Sequence, residues 1–158
     1  MRRTRFDTAP CPIARATDLM GDWWTPLVLR DIYFGRRRFD DIQQSLQIPR
    51  AVLAARLNRL CEEAMLERVA YQDAPARYEY RVTQKGREFF SVVAAMWRWG
   101  SDWMWPDGDG PLVVLKDRET GAVIRPVVVD EATGERIDLR RIRVGRSRAR
   151  PVLGEEAR

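Results

Sequence analysis

The side chains best equipped for chemistry in this 158-residue chain are arginines. Arg36, Arg37 and Arg38 stand in a row, and Arg50, Arg56 and Arg77 follow at wider spacing. A guanidinium is a planar, permanently charged fork of N–H donors. It grips phosphate oxygens and can bind the O6/N7 edge of a guanine through two parallel bonds. Cys11 and Cys61 supply the only thiols, and there is no histidine. The missing imidazole removes the commonest general base and the commonest metal ligand. Ser-His-Asp and Cys-His catalysis within the chain are excluded, as is any zinc site that needs an imidazole. The sequence also has no phosphate-cradling glycine loop and no cluster of metal ligands. No cofactor is expected, and an enzyme has little support.

The net charge is +5, which fits a polyanionic partner without proving one. Its distribution says more. From Arg36 to Arg87 there are eleven basic and seven acidic residues; from Glu88 to Gly110 there are one and four. No apolar run approaches the roughly 18 residues of a membrane span. The basic start, Met1 to Arg5, is followed by no apolar stretch. The chain is therefore read as cytoplasmic, without a secretory leader. Two distant cysteines do not suggest a disulfide framework.

These residues need elements to position them. Residues 12–34 read as two helices broken at Gly21-Asp22, the second opening with Thr25 as cap and Pro26 at the first helical position, and closing at Gly35. Phe39, Ile42 and Leu46 mark a short third helix. Gln47-Ile48-Pro49 is a tight turn, and Pro49 opens a fourth helix with Leu53, Leu57, Leu60, Cys61 and Ala64 on one face. The period then changes to two. Residues 68–71 and 78–82 alternate as strands around a loop at 72–77. Thr83 caps a long helix from about Lys85 to Met104.

The order helix, helix, tight turn, helix, hairpin, long helix predicts a mainly α fold with a β-hairpin wing, a winged helix-turn-helix, with a small β-rich C-terminal extension. A helix-turn-helix sets its second helix in the major groove of a duplex, N-terminal residues toward the base edges. That places Pro49, Arg50, Ala51, Ala54 and Ala55 at the groove, with Arg50 suited to guanine. Arg56 and the Arg36–Arg38 run suit phosphates, and Arg77 at the hairpin tip suits an adjacent minor groove.

Five blocks in order resemble the HxlR-type regulators, a MarR-related branch of winged helices: Cys11-Pro12-Ile13, residues 21–30 (GDWWTPLVLR), 35–42 (GRRRFDDI), 48–57 (IPRAVLAARL) and 77–86 (RYEYRVTQKG). The resemblance implies a transcriptional regulator that binds double-stranded DNA as a homodimer, joined through its terminal helices, on a near-palindromic operator. Some members use the N-terminal cysteine as an oxidant or electrophile sensor. Cys11, near a helix start and beside Arg15, could serve in that way, with packing as the plainer reading. Where the family has a glycine after the reading helix, Ala64 stands here. A left-handed alanine at that point costs about 1 kcal/mol relative to glycine.

Trp97, Trp99 and Trp103 cluster on the long helix. Trp97 suits the core or a dimer seam. Trp99 and Trp103, spaced i to i+4, suit a partner chain or a cavity for a flat ligand. The expected organisation is a reading and dimerisation domain at 1–105, a linker at 106–111, a β-rich extension at 112–145 and a flexible tail at 146–158. In the extension, Asp117-Arg118-Glu119-Thr120-Gly121 is echoed by Asp130-Glu131-Ala132-Thr133-Gly134, with Ile124 and Ile137 at the same offset. The form resembles the knuckles of a zinc ribbon with the ligands replaced, so two β-turns without metal are expected. Two further readings stand beside the operator-binding one: a redox- or ligand-responsive switch, and a protein-binding winged helix that has lost its duplex.

Overall fold

Residue 6, residues 8–105 and residues 110–145 are described by the computed structural model. Positions 106–109 of the expected linker and the expected tail fall outside them. The chain divides into two units, Met1–Gly110 and Pro111–Arg158.

The first unit runs α1 (Pro12–Met20), α2 (Trp24–Tyr33), α3 (Phe39–Leu46), α4 (Arg50–Glu62), β1 (Leu66–Asp73), β2 (Ala76–Val82), α5 (Gln84–Glu88) and α6 (Phe90–Trp103). Apolar residues at helical spacing bury one side of each central helix. Val28, Leu29 and Ile32 of α2, Ile42 of α3 and Leu53, Leu57 and Leu60 of α4 form one core with Met65, Leu66 and Tyr80 of the hairpin. No helix among the described residues is long and apolar enough to cross a membrane.

The ends of these elements show both agreement and correction. Gly35 adopts φ +100°, a left-handed value that closes α2, and the Arg36 amide turns back to donate to the Asp31 carbonyl at 2.9 Å. Thr25, expected as the cap of α2, instead lies buried inside its first turn, and Pro26, expected as the first helical residue, is the third. The capping oxygen belongs to Asp22, whose Oδ1 accepts from the amides of Trp24 and Thr25 at 3.0 and 3.2 Å. A carboxylate at a helix start satisfies otherwise orphaned N–H groups more strongly than a hydroxyl does. Thr83 caps as expected, accepting from the Gly86 amide at 3.1 Å and donating to the Ala64 carbonyl at 2.7 Å. The helix it starts is not continuous, because α5 gives way to α6 at Phe89. The Tyr33 hydroxyl donates to the Gly86 carbonyl, an acceptor that an unbroken helix would offer to residue 90.

β1 and β2 pair antiparallel from Leu66↔Val82 to Asp73↔Ala76, with a bulge at Tyr71. The strands extend further than the expected loop allowed, so the turn is only Ala74-Pro75. A third rung comes from the arginine run: Arg38 bridges to Glu79, and the Tyr80 amide donates to the Arg37 carbonyl at 2.7 Å.

In the second unit the repeat recurs in the backbone hydrogen bonds accepted by its two aspartates. Asp117 Oδ1 accepts from the Glu119 and Thr120 amides (3.1 and 2.7 Å), and Asp130 Oδ1 accepts from those of Ala132 and Thr133 (both 3.0 Å). Gly121 and Gly134 share φ near +70°. Single antiparallel bridges, Lys116↔Val123 and Val129↔Arg136, close the two turns, so the β character rests on bridges and not on full ladders. These hydrogen bonds, chiefly from Thr120, hold the Asp117 carboxyl below the usual aspartate range. Among the described residues of this unit none is buried.

Candidate nucleic-acid interface

The interface candidate is built on α4, because that helix carries arginines on two sides and they meet different surroundings. Toward α1 and α2 the arginines are tied down. Arg56 Nε lies 2.6 Å from Asp22 Oδ2, so one carboxylate caps α2 with one oxygen and holds α4 with the other. Arg59 Nη2 donates to the Asp18 carbonyl at 2.9 Å and lies 3.3 Å from its Oδ2; Asp18 itself is buried. Only about a fifth of either arginine side chain is exposed, at 22% and 21%. Arg56, expected at phosphates, thus has its charge committed to Asp22.

The other side of α4 is open. Arg50, Ala51, Ala55 and Asn58 are exposed and Ala54 is half-buried. Pro49 is the N-cap residue and gives the helix no side-chain cap. Asn58 was not singled out from the sequence, although it follows Ala51 and Ala54 at i+7 and i+4, the spacing of one face. An asparagine amide can bind an adenine edge through two bonds. Arg50 leans back on α3: its Nη1 lies 2.9 Å from Asp40 Oδ1 and its Cζ 4.6 Å from the Phe39 ring centre.

The arginine run precedes α3, between α2 and the helix that carries Asp40. Arg36, Arg37 and Arg38 are all exposed. Arg36 reaches toward buried Asp31, at 3.9 Å, while Arg30 holds the same oxygen at 2.7 Å. Arg38 stacks on Tyr71, 4.4 Å above the ring centre, at the hairpin bulge. In the wing Arg68 stacks on Tyr78 at 4.0 Å, and Arg77 is exposed beside the turn. Unlike Asn58, Tyr71 and Asp40 carry no such signal in the sequence, because only the fold sets them against arginines.

Ala64 does adopt the left-handed conformation, φ +52°, between α4 and β1. Gln47, in the turn before α4, does so too, at φ +51°. Gly86 is required for packing, because a Cβ there would collide with the Met65 carbonyl.

Residues 19–107 match the sequence profile of the HxlR-like helix-turn-helix family. The chain belongs to that family. Its members here are transcriptional regulators that bind DNA, not enzymes. The chain is 36% identical over 130 residues to the HTH-type transcriptional regulator Rv3095 of Mycobacterium tuberculosis, covering 82% of each chain. It superposes on the crystal structure of PA1607, named as a candidate transcription factor, with a TM-score of 0.81 at 34% identity, over 91% of this chain and all (100%) of the other. That likeness extends beyond the residues the family profile matches. The redox regulator HypR in its reduced form is similar over 58% of this HxlR-like chain and 92% of its own, at 25% identity and a TM-score of 0.55.

The cysteines and the tryptophans named from the sequence lie outside the open face of α4. Cys11 is exposed as the N-cap residue of α1, where the neighbouring Arg15 side chain donates to the Ala9 carbonyl at 2.6 Å. Cys61 packs against the core, and burial pushes its thiol up, against the lowering influence of Arg68 and with a further rise from Glu62. On α6, Trp97 is half-buried edge-to-face on Phe34, with ring centres 5.9 Å apart. Trp99 and Trp103 are exposed, at 59% and 69%.

Proposed function

We propose that this HxlR-like protein works as a homodimer on a near-palindromic operator, inserting α4 into the major groove. The observation that carries the reading is the division of α4 into a tied inner face and an open outer face. Arg50, Ala51, Ala54, Ala55 and Asn58 would meet base edges, with Pro49 at the helix entry. Small alanines let the helix sit deep. Arg36, Arg37 and Arg38 would hold phosphates along one border, and Arg77 would reach an adjacent minor groove from the wing. Arg56 is better assigned to the scaffold.

Dimerisation is supported by the apolar stripe on α6. Val92, Met96, Trp99 and Trp103 are exposed at i, i+4, i+7 and i+11, and a second copy would cover them. A redox- or small-molecule-responsive switch is the alternative. It is favoured by the exposed Cys11 at a helix start and by the likeness to HypR, which is named a redox regulator.

Selection of bound duplex from a random pool tests both, run with reduced and oxidised protein at one fixed salt concentration, since phosphate contacts make affinity depend steeply on salt. The operator reading expects enrichment of two half-sites separated by a whole number of helical turns. No enrichment would sink it. The switch expects oxidation to change the affinity of native protein but not of Cys11→Ser.

A further inference from the structure

We propose that Asp40 is a specificity-determining residue that positions Arg50 for base reading; the proposal rests on the operator-binding reading above. Arg50 is the first residue of α4, the place where a reading helix meets base edges. Helix stability does not account for a cation there. The N-terminal end of a helix carries partial positive charge, and an arginine in the first turn is on the unfavourable side of it. The compensating groups come from α3. Asp40 Oδ1 lies 2.9 Å from Arg50 Nη1, and the Phe39 ring lies under the guanidinium at 4.6 Å.

The carboxylate holds one terminal nitrogen of the guanidinium, and the ring face supports its central carbon. A long side chain that would otherwise sample many rotamers is thereby ordered before a duplex arrives. The Asp40 contact uses Nη1, and a bidentate bond to a guanine needs two of the other donors.

Asp40 and Arg50 are 81% and 68% exposed, so the pair contributes little to folding. Toward a duplex the carboxylate has a second effect. It repels phosphates, which lowers affinity for any sequence, and it penalises poses in which Arg50 leaves it without gaining a guanine. Asp40 thus trades general affinity for discrimination.

The test uses the full chain, a duplex obtained by random-pool selection with the native protein, single-base variants of that duplex and an unrelated duplex. All are titrated at one salt concentration. Arg50→Ala is expected to flatten the preference at one base pair of each half-site. Asp40→Ala is expected to reduce that same preference about tenfold, to tighten binding to the unrelated duplex, and to lower the melting temperature by no more than a few degrees, through loss of one first-turn carboxylate of α3. Asp40→Glu should restore part of the preference. The double variant should discriminate no worse than Arg50→Ala alone. Should Asp40→Ala keep the native preference while Arg50→Ala flattens it, or should it strengthen binding to every duplex equally, the proposal is overturned and operator binding stands. Should the native protein select no sequence at all, operator binding falls and this assignment falls with it.

Discussion

Arg50 and Arg56 lie on the same helix and are the same residue type, yet one faces water and the other is locked between elements. Arg56 and Arg59 meet Asp22 and Asp18, carboxylates from the α1–α2 region that sit partly out of solvent. Arg50 meets Asp40 in the open. An ion pair in water is weak and can be exchanged for another partner; one held within packed elements is lost only at a cost in stability. The inner face of α4 therefore serves the scaffold, and the outer face remains available to a ligand.

This contrast can be broken from either side. The largest expected effect is on the inner face: Leu57→Ala, at a position with 0% exposure, should cost about 3 kcal/mol of folding stability. Chemical denaturation would show it, and a loss below about 1 kcal/mol would mean that α4 is loosely seated. On the outer face, Ala55→Glu should leave the melting temperature where it is and weaken duplex binding by about 2 kcal/mol, because a carboxylate would face the phosphate-lined groove. Equal binding by the variant would show that the open face does not meet the duplex.

Asp22→Ala removes a cap and an ion-pair partner together, for an expected loss of about 1–2 kcal/mol in stability. Its effect on binding should follow from that loss. A selective drop in affinity at full stability would return Arg56 to the duplex side. Ala64→Gly sharpens the boundary between α4 and the wing. It relieves a left-handed alanine and should raise stability by about 0.5–1 kcal/mol, less than the full strain because glycine also loosens the unfolded chain.

The smallest expected effect is a pH dependence at the end of α2, away from either face of α4. Burial pushes the Tyr33 hydroxyl up from 10.0 to about 12, where it holds the Gly86 carbonyl. The folded state then resists deprotonation that the unfolded chain undergoes more readily. Stability from this group is complete below pH 10 and falls as pH rises toward 12. Melting curves across that interval should slope less steeply for Tyr33→Phe than for the native chain, and identical slopes would remove Tyr33 as the cause.

Much of the fold was legible in one dimension. Phe39, Ile42 and Leu46 defined α3, and the Gly35 and Thr83 ends followed from residue type. The duplicated D-x-x-T-G turns were legible for the same reason: their hydrogen bonds join residues two or three apart. The long C-terminal helix was misread as continuous because the tyrosine beside its interruption lies more than fifty residues earlier, with a separation of 53 between Tyr33 and Gly86. Thr25 reads as a cap because it stands directly before a proline, whereas the capping role of Asp22 shows only once the helix is seen to start at Trp24.

The sequence by itself determined the order of elements, the helix-turn-helix spacing and the basic character of residues 36–87, since these depend on local preference and composition. It also contained the family likeness. Which arginines are free was decided only by the tertiary structure. Asp18 lies 41 residues from Arg59, and Asp22 is similarly remote from Arg56. Spacing along a helix tells which face a residue occupies, but the charge that awaits it there comes from a distant part of the chain.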